Sequence, residues 1–102
     1  MVIYMEKEQI KREILAHINK EGSKKKTWYV GITEDIEQRL FGDHKVPKQN
    51  AWRIYKEADN FEDAREIENY FIETIGTDGG TGGADEDAKY IYAYKKTDQT
   101  EP

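Results

Sequence analysis

The chain has 102 residues, enough for one domain with a single modest core. Apolar and charged residues each make up 36%, yet seven Tyr, three Phe and two Trp argue against disorder, which is typically aromatic-poor. The absence of cysteine excludes disulfides, thiolate zinc sites and cysteine nucleophiles, and a net charge of −5 disfavours tight non-specific nucleic-acid binding, which rests on phosphate neutralisation.

The charge is unevenly spread. Residues 24–56 carry eight Lys or Arg against four acids, whereas residues 57–88 carry one Arg against eleven. These blocks read either as two solvated faces or as a locally basic motif region followed by an acidic half. No apolar run approaches the ~20 residues needed to span a membrane, and no signal-peptide core is visible, so a cytoplasmic protein is expected.

Met1 to Met5 form an apolar lead-in. Residues 6–20 read as a helix, with Ile10, Ile14 and Ile18 at four-residue steps, stopped at Gly22. His17 falls at the edge of that stripe, a boundary histidine in preference to a ligand. Lys24-Lys25-Lys26 either meets phosphate or keeps a strand edge soluble.

Thr27-Trp28-Tyr29-Val30-Gly31-Ile32 is a β-branched and aromatic run that favours a strand. A helix over 34–42 follows, with Thr33 as its N-cap, Glu34 and Asp35 in its first turn, and Ile36 and Leu40 starting an inward face. Gly42 ends it or loosens its last turn, leaving His44 in a loop. A strand feeding directly into a helix places Tyr29, Gly31 and Arg39 around one small volume, with His44 nearby.

Residues 45–50 form a loop and 52–58 a second strand, whose two faces carry Trp52 and Tyr55. Asn60 caps a helix over 61–75, with Asp63 in the position of a capping-box acid. Phe61, Ala64, Ile67, Phe71, Ile72 and Ile75 make its inward stripe, and Glu68 projects inside it. A carboxylate there must be paired, protonated or bound to a cation, because burying it bare costs too much. Metal ligation and pairing with Arg39 are the leading alternatives; a peripheral glutamate is the third.

Gly76 ends this helix. The glycine-rich run up to Gly83 lacks a P-loop lysine and the strand-to-helix order of such loops, so nucleotide binding is rejected. Asp78, Asp85, Glu86 and Asp87 match no calcium-loop spacing, and a solvated linking loop is expected. Residues 88–96 form the last strand, with Tyr90, Tyr92 and Tyr94 on one face and Ile91 and Ala93 on the other. The tail from Thr97 to Pro102 reads as frayed. The sum is one α+β domain over residues 1–102: a small three-stranded antiparallel sheet flanked by three helices.

Tyr29-Val30-Gly31, Arg39 ten residues after Tyr29, and Glu68 on a later helix together resemble the core motif of the GIY-YIG nuclease family. The resemblance covers residues 27 to 75 and implies an endonuclease that hydrolyses phosphodiester bonds of DNA with a divalent cation, Mg²⁺ or Mn²⁺. It implies that Glu68 binds the metal, Arg39 holds phosphate, Tyr29 orients or deprotonates water and Gly31 keeps the strand end open. His44 would be an auxiliary acid or base, although it lies five residues beyond Arg39 where four is the expected offset. The family's late asparagine has no counterpart after residue 69.

The family's Gly-Ile-Tyr strand, which lies beside the Tyr-Val-Gly strand and contributes a tyrosine, is absent upstream of Thr27. An unpaired edge at 27–32 would expose backbone donors and acceptors, so that strand needs a neighbour. The 88–96 strand is expected to fill the vacancy, as in a circularly permuted family member, with Tyr90 or Tyr92 replacing the missing tyrosine. The alternative is that it pairs with 52–58 alone. Beside the nuclease stand two other readings: a catalytically silent module binding nucleic acid or protein, and a structural domain in which Tyr29, Arg39 and Glu68 form a polar cluster.

Overall fold

The computed structural model describes residues 2–80 and 87–102, with side chains from Glu6 onward. Helix α1 (Val2–Glu21) leads into a short 3-10 turn and strand β1 (Trp28–Thr33). A π-helix (Glu37–Asp43) follows, then β2 (Arg53–Glu57), α2 (Phe61–Asn69), a π-helical continuation (Tyr70–Ile75) and β3 (Tyr90–Lys95). The three strands form one antiparallel sheet in the order β1-β3-β2, so the last strand in sequence is the central one.

Side-chain alternation puts the two halves of the molecule on opposite faces of this sheet. Ile91 and Ala93 of β3, with Trp28, Val30 and Ile32 of β1, face α1 and α2 in the larger core. Ile10, Ile14 and Ile18 make the buried stripe of α1, and Ala64, Ile67 and Phe71 that of α2 and its continuation. Tyr92 and Tyr94 point the other way, into a smaller cluster with Leu40 and Val46, against which Tyr29, Ile36, Phe41 and Ala51 pack. His17 lies at the rim of the larger core between two indoles, 5.8 Å from Trp28 and 5.3 Å from Trp52.

The helix boundaries follow local chemistry. Gly22 ends α1 at φ +89°, and Gly76 ends the second helical run at φ +98°, left-handed positions that suit glycine. Asn60 caps α2, its side chain accepting from the Asp63 N–H at 2.8 Å. Lys7 and Lys11 of α1 meet Glu66 of α2 at 3.0 and 3.7 Å, partly exposed pairs that solvent screens and that add little to stability.

Three expectations need correction. The helix after β1 starts later and winds wider than 34–42, running through Gly42 to Asp43. Thr33 stays in β1; its hydroxyl accepts from the Asp35 N–H, and the Asp35 carboxylate accepts from the Gln38 N–H, so the capping acceptor is Asp35. The expected pairing of the last strand is present, β3 running beside β1 from Thr33↔Tyr90 to Trp28↔Lys95; it also runs beside β2 from Glu57↔Tyr90 to Arg53↔Tyr94, so pairing with β2 alone does not occur. The tail is docked, with a turn at Thr97–Thr100 and the Glu101 N–H donating to the His44 carbonyl at 2.7 Å. Asp85 and Glu86 of the acidic cluster lie outside the described residues.

Candidate active site

The site is built where β1 and β3 run side by side. Their register sets Gly31 opposite Tyr92 and Tyr29 opposite Tyr94, all on the face away from α2. A Cβ at Gly31 would stand 2.5 Å from the Tyr92 hydroxyl and 2.7 Å from its Cζ, so glycine is what lets that ring lie across β1. Tyr29 stacks against Tyr94 at 5.3 Å and Tyr92 at 6.4 Å between ring centroids.

His44 completes the aromatic group. It follows the π-helix directly, is 5% exposed, and lies 4.7 Å from Tyr29 between centroids. Its Nε2 is hydrogen-bonded to the Tyr92 hydroxyl at 2.8 Å, and its Nδ1 to the Tyr94 hydroxyl at 3.0 Å and the Glu101 carbonyl at 2.7 Å. Burial pushes its pKa below the ordinary histidine value, helped by the Arg39 charge and opposed by the Glu101 carbonyl and Asp43. The imidazole is therefore neutral at pH 7.

Burial also raises the phenol pKa values of Tyr29, Tyr92 and Tyr94. For Tyr29, the Asp78 and Glu68 charges act in the same direction, while Arg39 and a hydrogen bond from the Gly80 backbone act against it. All three hydroxyls thus keep their protons at neutral pH, which suits Tyr29 to orienting a water and not to deprotonating it. Gly79 and Gly80 close this side: a Cβ at Gly79 would meet the Val30 carbonyl at 2.7 Å, and one at Gly80 the Tyr29 hydroxyl at 2.6 Å. Asp78 pairs with the outer edge of β1, through Val30 N–H to Asp78 O at 3.0 Å and Asp78 N–H to Trp28 O at 2.8 Å.

Two charged residues bear on these tyrosines. Arg39, on the π-helix, lowers the pKa values of Tyr29 and Tyr92, while Glu68, from α2, raises them. Arg39 is 45% exposed and pairs with Asp43 at 3.3 Å, not with Glu68 as the pairing alternative supposed. Glu68 instead takes Arg65, one helical turn earlier, at 3.2 Å. The reason is local: an i,i+3 partner already lies on its helix face, whereas Arg39 sits four residues from its own acid. Glu68 is 3% exposed, and burial pushes its pKa up to about 7 against the opposing Arg65 charge.

Tyr29, Gly31, His44 and Tyr92 are thus in one group, with Arg39 and Glu68 acting on it electrostatically. Tyr90, the alternative to Tyr92, sits opposite Thr33 at the strand end. Sequence reasoning missed Tyr94, Arg65 and Glu101. Tyr94 shares a face with Tyr92 and Arg65 precedes Glu68 by three, so both were within reach of period arguments; Glu101 acts through its main chain and has no side-chain signal.

Among the described residues there is no group of three or more His, Cys, Asp or Glu placed to hold a metal ion. The donor set is one buried carboxylate held short of full ionisation at neutral pH. Such a site fits a hard cation that keeps most of its waters and borrows substrate oxygens, as Mg²⁺ does. Among the described residues no helix is long and apolar enough to cross a membrane. Comparison with protein-family models, with curated proteins and with solved structures gave no match to this chain.

Proposed function

We propose that this chain is a GIY-YIG-like endonuclease in circularly permuted form, hydrolysing phosphodiester bonds of DNA with Mg²⁺ or Mn²⁺ in a cytoplasmic setting. The observation that carries this reading is the pairing of Tyr29-Val30-Gly31 with the Tyr90–Lys95 strand. That strand stands where the resemblance puts the missing tyrosine strand, and it brings Tyr92 to His44 at 2.8 Å.

Each residue has a role that its surroundings support. Glu68 would hold the cation, and a divalent charge would favour the carboxylate form that burial disfavours. When bound, the cation offsets phosphate charge and lowers the pKa of a coordinated water. Arg39, exposed and forked, offers guanidinium donors to phosphate oxygens, exchanging Asp43 for the substrate. Tyr29 and Tyr92 orient a water by their hydroxyls, and neutral His44 behind Tyr92 is the proton acceptor of the group.

The Arg65–Glu68 pair favours a second reading, since it gives the carboxylate a partner without any metal. In that case the chain is a catalytically silent module that binds nucleic acid or protein. Nicking of supercoiled plasmid in Mg²⁺ or Mn²⁺, beside Glu68→Ala, separates the two. The nuclease reading expects metal-dependent nicking that Glu68→Ala abolishes; binding without cleavage by the unmodified chain supports the silent module.

A further inference from the structure

The hydrogen bonds around His44 determine where its proton sits. A carbonyl oxygen has only lone pairs to offer, so the Glu101 carbonyl 2.7 Å from Nδ1 must receive an N–H from that nitrogen. A neutral imidazole carries one ring hydrogen, which leaves Nε2 as an acceptor. The Tyr92 hydroxyl, 2.8 Å from Nε2, must then donate to it.

Tyr94 agrees with this arrangement. Its oxygen, 3.0 Å from Nδ1, can share the N–H as an acceptor while its own proton turns to the Glu101 carbonyl at 3.5 Å. Of the tyrosines hydrogen-bonded to His44, Tyr92 alone meets a lone pair of the ring. The tail is built to hold this contact. The Glu101 N–H donates to the His44 carbonyl at 2.7 Å, and Thr97 and Thr100 close a turn through Thr97 N–H to Thr100 Oγ1 at 3.0 Å and Thr100 Oγ1 to Thr97 O at 3.1 Å.

We infer that Glu101 is a positioning residue whose main chain clamps His44 in the Nδ1–H tautomer, so that Nε2 accepts the hydrogen bond of the Tyr92 hydroxyl. This deepens the nuclease proposal, and only its catalytic consequence rests on that proposal. With its proton engaged by His44, the Tyr92 oxygen presents lone pairs to the site and accepts a hydrogen bond from the attacking water. In the opposite tautomer Nε2–H would donate to Tyr92, and the phenol would offer its proton to the site instead.

The test is ¹⁵N spectroscopy of histidine-labelled protein near pH 8, in a His17→Gln background that leaves His44 as the one histidine. The expected spectrum has hydrogen on Nδ1 and none on Nε2; the Nε2–H tautomer overturns the inference. Glu101→Ala keeps both main-chain bonds and should leave the tautomer unchanged. E101P removes the N–H and should give a mixture of tautomers; a single Nδ1–H tautomer in folded E101P overturns the clamp. Should E101P not fold, Thr100→Ala, which loosens the turn, is expected to give the mixture, and an unchanged tautomer there counts against the clamp. In single-turnover DNA cleavage, folded E101P should be slower by up to about 10²-fold with substrate affinity unchanged. An Nδ1–H tautomer in a chain that cleaves nothing upholds the clamp and refutes the nuclease.

Discussion

Glu68→Gln should remove a pH-dependent destabilisation whose size follows from burial. The Glu68 carboxyl has its pKa raised from 4.5 to about 7 in the folded chain. Between those values the folded protein keeps a proton that the unfolded chain has lost, so stability falls as pH rises through this window. The slope is about 1.4 kcal/mol per pH unit, giving about 3 kcal/mol in all. The contribution is flat below pH 4.5 and above pH 7. Glutamine has no such titration. Other groups titrate alike in both proteins and cancel in the difference. Urea denaturation from pH 4.5 to 8, without divalent cations, should therefore show the variant gaining about 3 kcal/mol relative to the unmodified chain. Adding Mg²⁺ at pH 8 should return part of that difference to the unmodified chain alone, because a ligand of the folded state stabilises it. A stability difference that stays constant across the range would refute the argument that burial governs this carboxylate.

Gly31→Ala should destabilise by about 1–3 kcal/mol in chemical denaturation, because its Cβ would stand 2.5 Å from the Tyr92 hydroxyl. Adding Tyr92→Phe should recover only part of that loss, since the ring carbon Cζ stays within 2.7 Å. Arg39→Ala should change stability by less than about 1 kcal/mol, its pair with Asp43 being half exposed, while abolishing plasmid nicking; preserved nicking would remove Arg39 from the site. Asn60→Ala should cost about 1 kcal/mol through the lost cap on α2, with cleavage untouched.

The fold was legible where a period and a boundary coincide. The stripe from Phe61 to Phe71, the cap at Asn60 and the stops at Gly22 and Gly76 all follow from side-chain spacing and backbone preference. The alternation Tyr90-Ile91-Tyr92-Ala93-Tyr94 marked a strand with large side chains on both faces, and its four inner residues are buried. That is the signature of a central strand, yet the pairings with β1 and β2 were weighed as rivals when one strand with two edges could serve both. β2, with Tyr55 49% exposed, is the edge strand that its mixed pattern allowed.

The π winding at Glu37–Asp43 was not legible, because it changes the hydrogen-bonding step without a distinctive residue type. It delivers His44 to Tyr92 although that histidine lies one place beyond the expected offset. The docking of the tail was hidden for a different reason: polar residues such as Thr97, Asp98 and Gln99 read as solvated, while the contact is made by backbone groups. Glu68 was correctly placed inside, but the pairing alternative looked across the fold to Arg39 when Arg65 stood one helical turn away.

The central claim is that the buried Glu68 carboxylate holds a divalent cation beside the tyrosines. Line broadening of amide resonances by substoichiometric Mn²⁺ at pH 8 tests it most directly, with Glu68→Gln as the paired measurement. The account predicts broadening that begins at Glu68, Gly31 and Tyr92 and disappears in Glu68→Gln. Broadening that begins at the exposed acids Glu57, Asp59 and Glu62, and is the same in both proteins, would contradict it.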